Sequence, residues 1–194
     1  MTTATAPATV RVRTADSLRT LYFTRTVFSA IWVTLVFVLA STVTTGARPT
    51  AIAVVLLTIY PAWDAVATFF DVRATAAATS HLPQYLNIAI GLLAAVGILL
   101  AIGTGLTPAL IVFGVWACIS GAVQLYLGLR RRRPIGGQWP MIISGGISVL
   151  AGGVFIATAS AYHPALTSAI AYVIPGAIFF LISAIRLGRP AKGN

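Results

Sequence analysis

Apolar residues gather in six stretches of this chain, roughly Thr26–Thr44, Thr50–Phe70, Leu86–Gly103, Ala109–Leu129, Trp139–Ala159 and Ala165–Leu187. Short turns carrying proline, glycine or arginine separate them. Each stretch holds about 20 residues, the number that crosses ~30 Å of hydrocarbon as a helix. The first is rich in Val, Thr and Phe, which in water would favour a strand. In lipid an isolated strand leaves its backbone groups unpaired, so a helix is expected there too. The pattern predicts an all-α fold: a polytopic transmembrane bundle of six helices.

Composition agrees. With 58% hydrophobic and 8% charged residues and a mean hydropathy of +0.94, the chain could not cover a water-facing surface. Residues 1–18, rich in Thr, Ala and Pro with Arg11, Arg13 and Asp16, lack an apolar period and are expected to be a disordered cytoplasmic tail. Residues 19–190 form the membrane domain and 191–194 a second short tail. The N-terminus lacks the pattern of a cleavable signal, because the apolar stretch behind its arginines is too long.

Charge orients the bundle. Of the 13 basic residues, all but Arg48 fall on one side if the N-terminus is inside. The positive-inside rule then places both termini in the cytoplasm. A net charge of +10 is thereby explained without nucleic acid. Tyr22, Tyr60, Trp63, Tyr85, Tyr126, Trp139 and Tyr162 stand mostly where interfacial aromatics would. Cys118 is the single cysteine, so no disulfide can form within the chain.

The three outer turns repeat one design, a proline opening each even-numbered span: Pro49, Pro108 and Pro164. Aligned on Pro61, Gly114 and Gly176, the even spans place Trp63, Trp116 and Ile178 together, then Thr68, Gly121 and Ser183, then Asp71, Gln124 and Arg186. Three hairpin repeats are the expected architecture. Small residues spaced for close helix approach run along span 4 (Gly114, Cys118, Gly121, Gly128) and span 5 (Gly145, Ser148, Gly152). Ordinary packing within the chain is the expected role of both seams, ahead of a substrate path or a dimer contact.

Tyr60-Pro61-Ala62-Trp63-Asp64, Phe113-Gly114-Val115-Trp116-Ala117 with Ser120-Gly121 and Gln124-Leu125, and Gly137-Gln138-Trp139-Pro140 through Gly145 resemble the HdeD-like family of six-span bacterial membrane proteins, built from short repeats of unknown function. The likeness covers roughly residues 20–190. It implies a bacterial inner-membrane protein, tied in some relatives to acid resistance, and it brings no catalytic residues.

The candidate chemistry lies in span 2. Asp64 is an acid inside an apolar helix, ~20 Å from its outer end at 1.5 Å per residue. A carboxylate there costs about 2.5–3.5 kcal/mol on insertion scales and normally has a partner. Asp71 is two turns along the same face, with Thr68 between. Two readings of Asp64 stand open: a proton- or ion-binding group, or an anchor hydrogen-bonded to a neighbouring helix. Asp71 is expected to mark the span's end. Pseudo-symmetry could bring Asp71 to Arg186 with Gln124 between, although headgroup placement of both is the simpler expectation.

His81 and His163 fall in loops on opposite sides, so they share no metal, and His163 is expected as a solvated turn residue. Arg130, Arg131, Arg132 and Arg133 stop span 4 and could hold anionic lipid. No nucleophile triad, zinc motif or phosphate loop is present, so neither enzyme activity nor a cofactor is expected. Two functions remain: a non-enzymatic envelope-stress or acid-tolerance protein acting through packing, lipid or partner contacts, or a small transporter or proton-coupled channel using Asp64. A homo-oligomer is left open.

Overall fold

Neither glycine nor proline interrupts the sequence from Ala8 to Val38, and in the computed structural model these residues form one helix, α1. The structure describes residues 8–39, 44–45, 48–75, 80–133, 138–159 and 166–188. Residues 8–18 were expected to lack regular structure, yet they are helical, and Leu18 is fully buried. With no breaker ahead of the apolar stretch, the helix simply extends backwards. Its threonines donate to carbonyls four residues earlier, Thr26 to Tyr22 and Thr34 to Ala30, both at 2.9 Å, which satisfies their hydroxyls inside an apolar helix.

After a two-residue antiparallel pairing, Thr44 opposite Pro49 and Thr45 opposite Arg48, come α2 (Ala51–Ala74) and α3 (Leu82–Ala101). A single 3-10 turn, Ile102–Thr104, leads to Gly105, whose φ of 138° reverses the chain. The helix α4 (Leu106–Arg131) therefore starts slightly before the expected boundary, with Pro108 in its first turn where a missing N–H costs nothing. The last two helices are α5 (Trp139–Ala159) and α6 (Ser168–Leu187). The expected turn at Tyr162, His163 and Pro164 lies outside the described residues, as do Arg189, Lys192 and the tail 191–194.

Among the described residues, five helices are long and apolar enough to cross a membrane: Thr14–Val38, Ala51–Ala74, Leu82–Thr104, Leu106–Arg131 and Trp139–Ala157. The apolar part described in α6, Tyr172–Leu187, is shorter. The outer surface is apolar, with Leu92, Leu93, Val96, Leu99 and Leu100 of α3 all more than half exposed. Water would not stabilise such a surface, whereas lipid tails would cover it without cost.

Backbone contact across small residues binds α4 to α5. A Cβ added to Gly145 would sit 2.5 Å from the Leu125 nitrogen, and one added to Gly121 would sit 2.6 Å from Ser148 Cβ. Gly152 lies equally close to Cys118 and to the Gly114 carbonyl. Gly146 and Gly153, each one residue on, face open space. The seams read from the sequence are thus halves of one intramolecular interface. Similarly, Gly91 brings α3 against the Pro61 carbonyl of α2. The helices α1 and α6 pair with each other, α1 packing on α2 and α6 on α5.

Two apolar clusters form inside. The larger is aromatic, with Trp32, Tyr60, Phe113, Trp116 and Tyr172 stacked, tilted or edge-on at 5.0–6.5 Å between ring centroids. The smaller contains Leu18, Leu21, Tyr22, Ala67, Met141 and Ala184. Tyr22 and Tyr60 were expected at the membrane surface and are instead part of, or packed against, these cores. Tyr85, Tyr126 and Trp139 are exposed, as interfacial aromatics would be.

Candidate functional site: a buried polar centre

Between the two apolar clusters lies a polar layer, and its positions follow from helix periodicity. Steps of three and four residues along α1 run Leu18, Tyr22, Arg25, Ser29, Trp32 and Val36, so the inward stripe delivers one arginine to the interior. Along α2 the same stepping runs Leu57, Pro61, Asp64, Thr68 and Asp71, all buried. On α3 it runs Asn87, Gly91, Ala94 and Ile98. The close approach at Gly91 sets Asn87, one turn earlier, opposite Asp64.

Asp64 is the hub. Its Oδ1 accepts from Arg25 Nη1 at 2.6 Å, and its Oδ2 accepts from Asn87 Nδ2 at 2.7 Å and from Ser120 Oγ at 3.0 Å. Thr68 Oγ1 completes the set, accepting from Arg25 Nη2 at 3.1 Å and from Asn87 Nδ2 at 3.0 Å. The Arg25 guanidinium also lies 5.2 Å from the centroid of Phe180 on α6, a cation–π contact. Five helices, α1, α2, α3, α4 and α6, meet at this one ion pair. Beside it, Ser29 and Tyr60 share a hydrogen bond of 3.0 Å, and Trp32 Nε1 donates to the Leu56 carbonyl at 2.8 Å, both joining α1 to α2.

A second ion pair closes the end of the bundle two turns further along α2. Arg131 donates twice to Asp71, Nη1 to Oδ1 at 2.9 Å and Nη2 to Oδ2 at 2.5 Å, and both side chains are buried. This fork-to-fork geometry is the strongest a carboxylate and a guanidinium can adopt. Tyr22 lies against the pair. Asp71 is therefore held by Arg131, and Arg186 stands exposed on α6 and makes no ion pair with it. Arg131, read in the sequence as one of four arginines that stop span 4 and could hold anionic lipid, is turned inward; Arg130, Arg132 and Arg133 remain exposed, with Arg130 over the Tyr126 ring. Gln124, expected between Asp71 and Arg186, donates to the Met141 carbonyl at 3.5 Å and lines the space around Asp64.

Sequence reasoning found Asp64, Thr68 and Asp71 and missed the partners that define them. Arg25 was counted only among the basic residues that orient the bundle, since it precedes an apolar stretch, and Arg131 was hidden in a run of four arginines. The stepping Gly114, Ala117, Gly121, Gln124, Gly128, Arg131 along α4 carries the missing signal, since five positions of one stripe lead to Arg131.

Two small cavities flank the Arg25–Asp64 pair. One of about 40 Å³ runs from Asp64, Thr68 and Asn87 to Asp71 and Arg131. The other, about 30 Å³, lies between Arg25, Asp64 and Ser120 on one side and Tyr60, Trp116 and Tyr172 on the other. His81, at the start of α3, stands apart from both. Among the described residues, no group of three His, Cys, Asp or Glu side chains could hold a metal ion.

A helical bundle with an apolar exterior and paired charges inside has the construction of a membrane protein. Residues 85–157, which span most of α3, all of α4 and most of α5, match the family model described as a short repeat of unknown function, DUF308. The matched segment supplies Asn87, Ser120 and Arg131 to the polar centre, while Arg25, Asp64 and Asp71 come from the helices before it. No curated protein and no solved structure matches the chain.

Proposed function

We propose that this chain is a multi-pass protein of a bacterial inner membrane, related to HdeD-like proteins, with six spans in three hairpins and both termini cytoplasmic. Its role is non-enzymatic and belongs to envelope stress or acid tolerance, exerted through helix packing, lipid and partner contacts. Twelve of 13 basic residues on one side of such a bundle support the orientation. Arg130, Arg132 and Arg133 then reach the cytoplasmic leaflet, where each could contribute about 1 kcal/mol of attraction to anionic lipid. A homo-oligomer is compatible with the apolar exterior.

One observation carries the non-transporting reading: both acids inside the bundle are neutralised by arginines of the same chain. Asp64 has three donors on three helices, which is the environment of an anchor. A carboxylate that ferries protons or ions has to change partners during each cycle, and this one would have to break several contacts to do so.

The cavities on either side of Asp64 favour a second reading, a small transporter or proton-coupled channel with Asp64 as its ionisable group. Reconstitution into vesicles holding a pH-sensitive dye separates the two. The anchor reading expects no proton flux above empty vesicles, in the wild type or in Arg25→Gln/Asp64→Asn. Flux that is present in the wild type and lost in that double variant would reverse the choice.

A further inference from the structure

The polar centre leaves hydrogen-bonding capacity unspent on its aromatic side. Three residues lining the cavity of about 30 Å³ have buried polar atoms with no partner among the described residues: Trp63 and Trp116 through their indole N–H groups, and Ser144 through its hydroxyl. Trp116 and Ser144 are each only 2% exposed. Trp32 shows the contrast, its indole N–H being spent on the Leu56 carbonyl. An indole N–H can only donate, and a buried donor left unpaired is costly. The cavity of about 40 Å³ poses the opposite demand. Asn87 lines it, and its Oδ1 is buried and unpartnered, while its amide nitrogen donates to Asp64 and Thr68. That oxygen can only accept.

We propose that these two cavities are binding sites for a small neutral guest that both donates and accepts, namely water, seated on each side of the Arg25–Asp64 pair. About 10–15 Å³ of such space holds one water, so the smaller site takes about two or three and the larger about three or four, with the two to four polar neighbours that a buried water requires. A halide would satisfy the indoles and Arg25. However, the charge of Arg25 is already matched by Asp64, so a halide would add an uncompensated negative charge in a low-dielectric interior beside a carboxylate. A cation would meet the wrong end of two N–H dipoles. An apolar guest would leave every one of these groups unpaired.

Water on both faces solvates the ion pair and lowers the desolvation penalty that a charge among lipid tails would otherwise carry. The inference concerns the same centre as the proposed anchor and rests on its membrane setting. It stands apart from the question of flux, because a solvated pair need not conduct.

The full chain in lipid nanodiscs, labelled with ¹⁵N in its tryptophan indoles, provides the test by NMR. Its four tryptophans give four indole resonances, assignable by replacing Trp32, Trp63, Trp116 and Trp139 with Phe one at a time. Water-to-indole cross-peaks are expected at Trp63 and Trp116 and not at Trp32, and sodium bromide should move neither Trp63 nor Trp116. A protected Trp32 also reports an intact bundle, which separates failure of this inference from failure of the fold in lipid. Trp63 and Trp116 as silent as Trp32 would overturn the proposal. A saturable bromide-dependent shift at Trp116 would overturn it in favour of an anion.

Discussion

The two ion pairs of this protein use the same chemistry in different settings. Asp64 sits well inside α2, and its charge is shared among Arg25, Asn87 and Ser120 on three other helices. Asp71 lies near the end of α2 and rests on one residue, Arg131, through a two-pronged contact. The first pair is a hub; the second is a clamp between α2 and α4. Depth decides what happens when either is broken. Arg131 is in the last turn of α4, and its side chain could swing out towards the interface and recover hydration. Arg25 is 17 residues into α1, between residues of the two apolar clusters.

The largest effect should therefore follow Asp64→Leu, which strands Arg25 in the interior. Breaking a buried pair in this way typically costs about 3–5 kcal/mol, read as a loss of stability in reversible detergent unfolding. Asp71→Asn should cost less, about 1.5–3 kcal/mol, the range for hydrogen bonds to charged groups, because Arg131 can be rehydrated. If Asp71→Asn proved as costly as Asp64→Leu, depth would not be what separates the two pairs. Asn87→Leu keeps both salt bridges and removes two hydrogen bonds, so the expected loss is about 0.6–1.7 kcal/mol by membrane-helix precedent. A larger loss would mean that the hub depends on its neutral members more than on its charges. Arg186→Ala should change stability by no more than about 0.5 kcal/mol, since Arg186 is exposed and pairs with neither acid.

The same contrast explains what the sequence made legible. Asp64 stood out because an acid in an apolar helix is rare enough to require a partner, and its partnership with a neighbouring helix was one of the two readings left open. The identity of the partner was hidden by position: Arg25 precedes the apolar stretch and was read by the rule for flanking charges. That rule assumes the helix starts where the apolar residues start, whereas α1 begins at Ala8. Arg131 was obscured because a run of four arginines looks uniform, although a helix turns each member to a different face by about 100°. Although the sequence left open that the two seams face each other, the packing role of the small residues of α4 and α5 was legible from their spacing, which sets where backbones can approach. The pairing of Asp71 with Arg131 was not, since it depends on how α2 leans against α4, and nothing local encodes that.

A double-mutant cycle on Arg25 and Asp64, measured by reversible unfolding in lipid or detergent, bears most directly on the hub. If the two charges hold each other inside the bundle, Arg25→Met and Asp64→Leu should each destabilise strongly. The double variant should then be more stable than the sum of the two losses predicts, by about 2 kcal/mol or more, near the upper part of the range for residues in contact. Losses that add to within about 0.5 kcal/mol would show that Arg25 and Asp64 act independently, and the pair would no longer be what organises the interior.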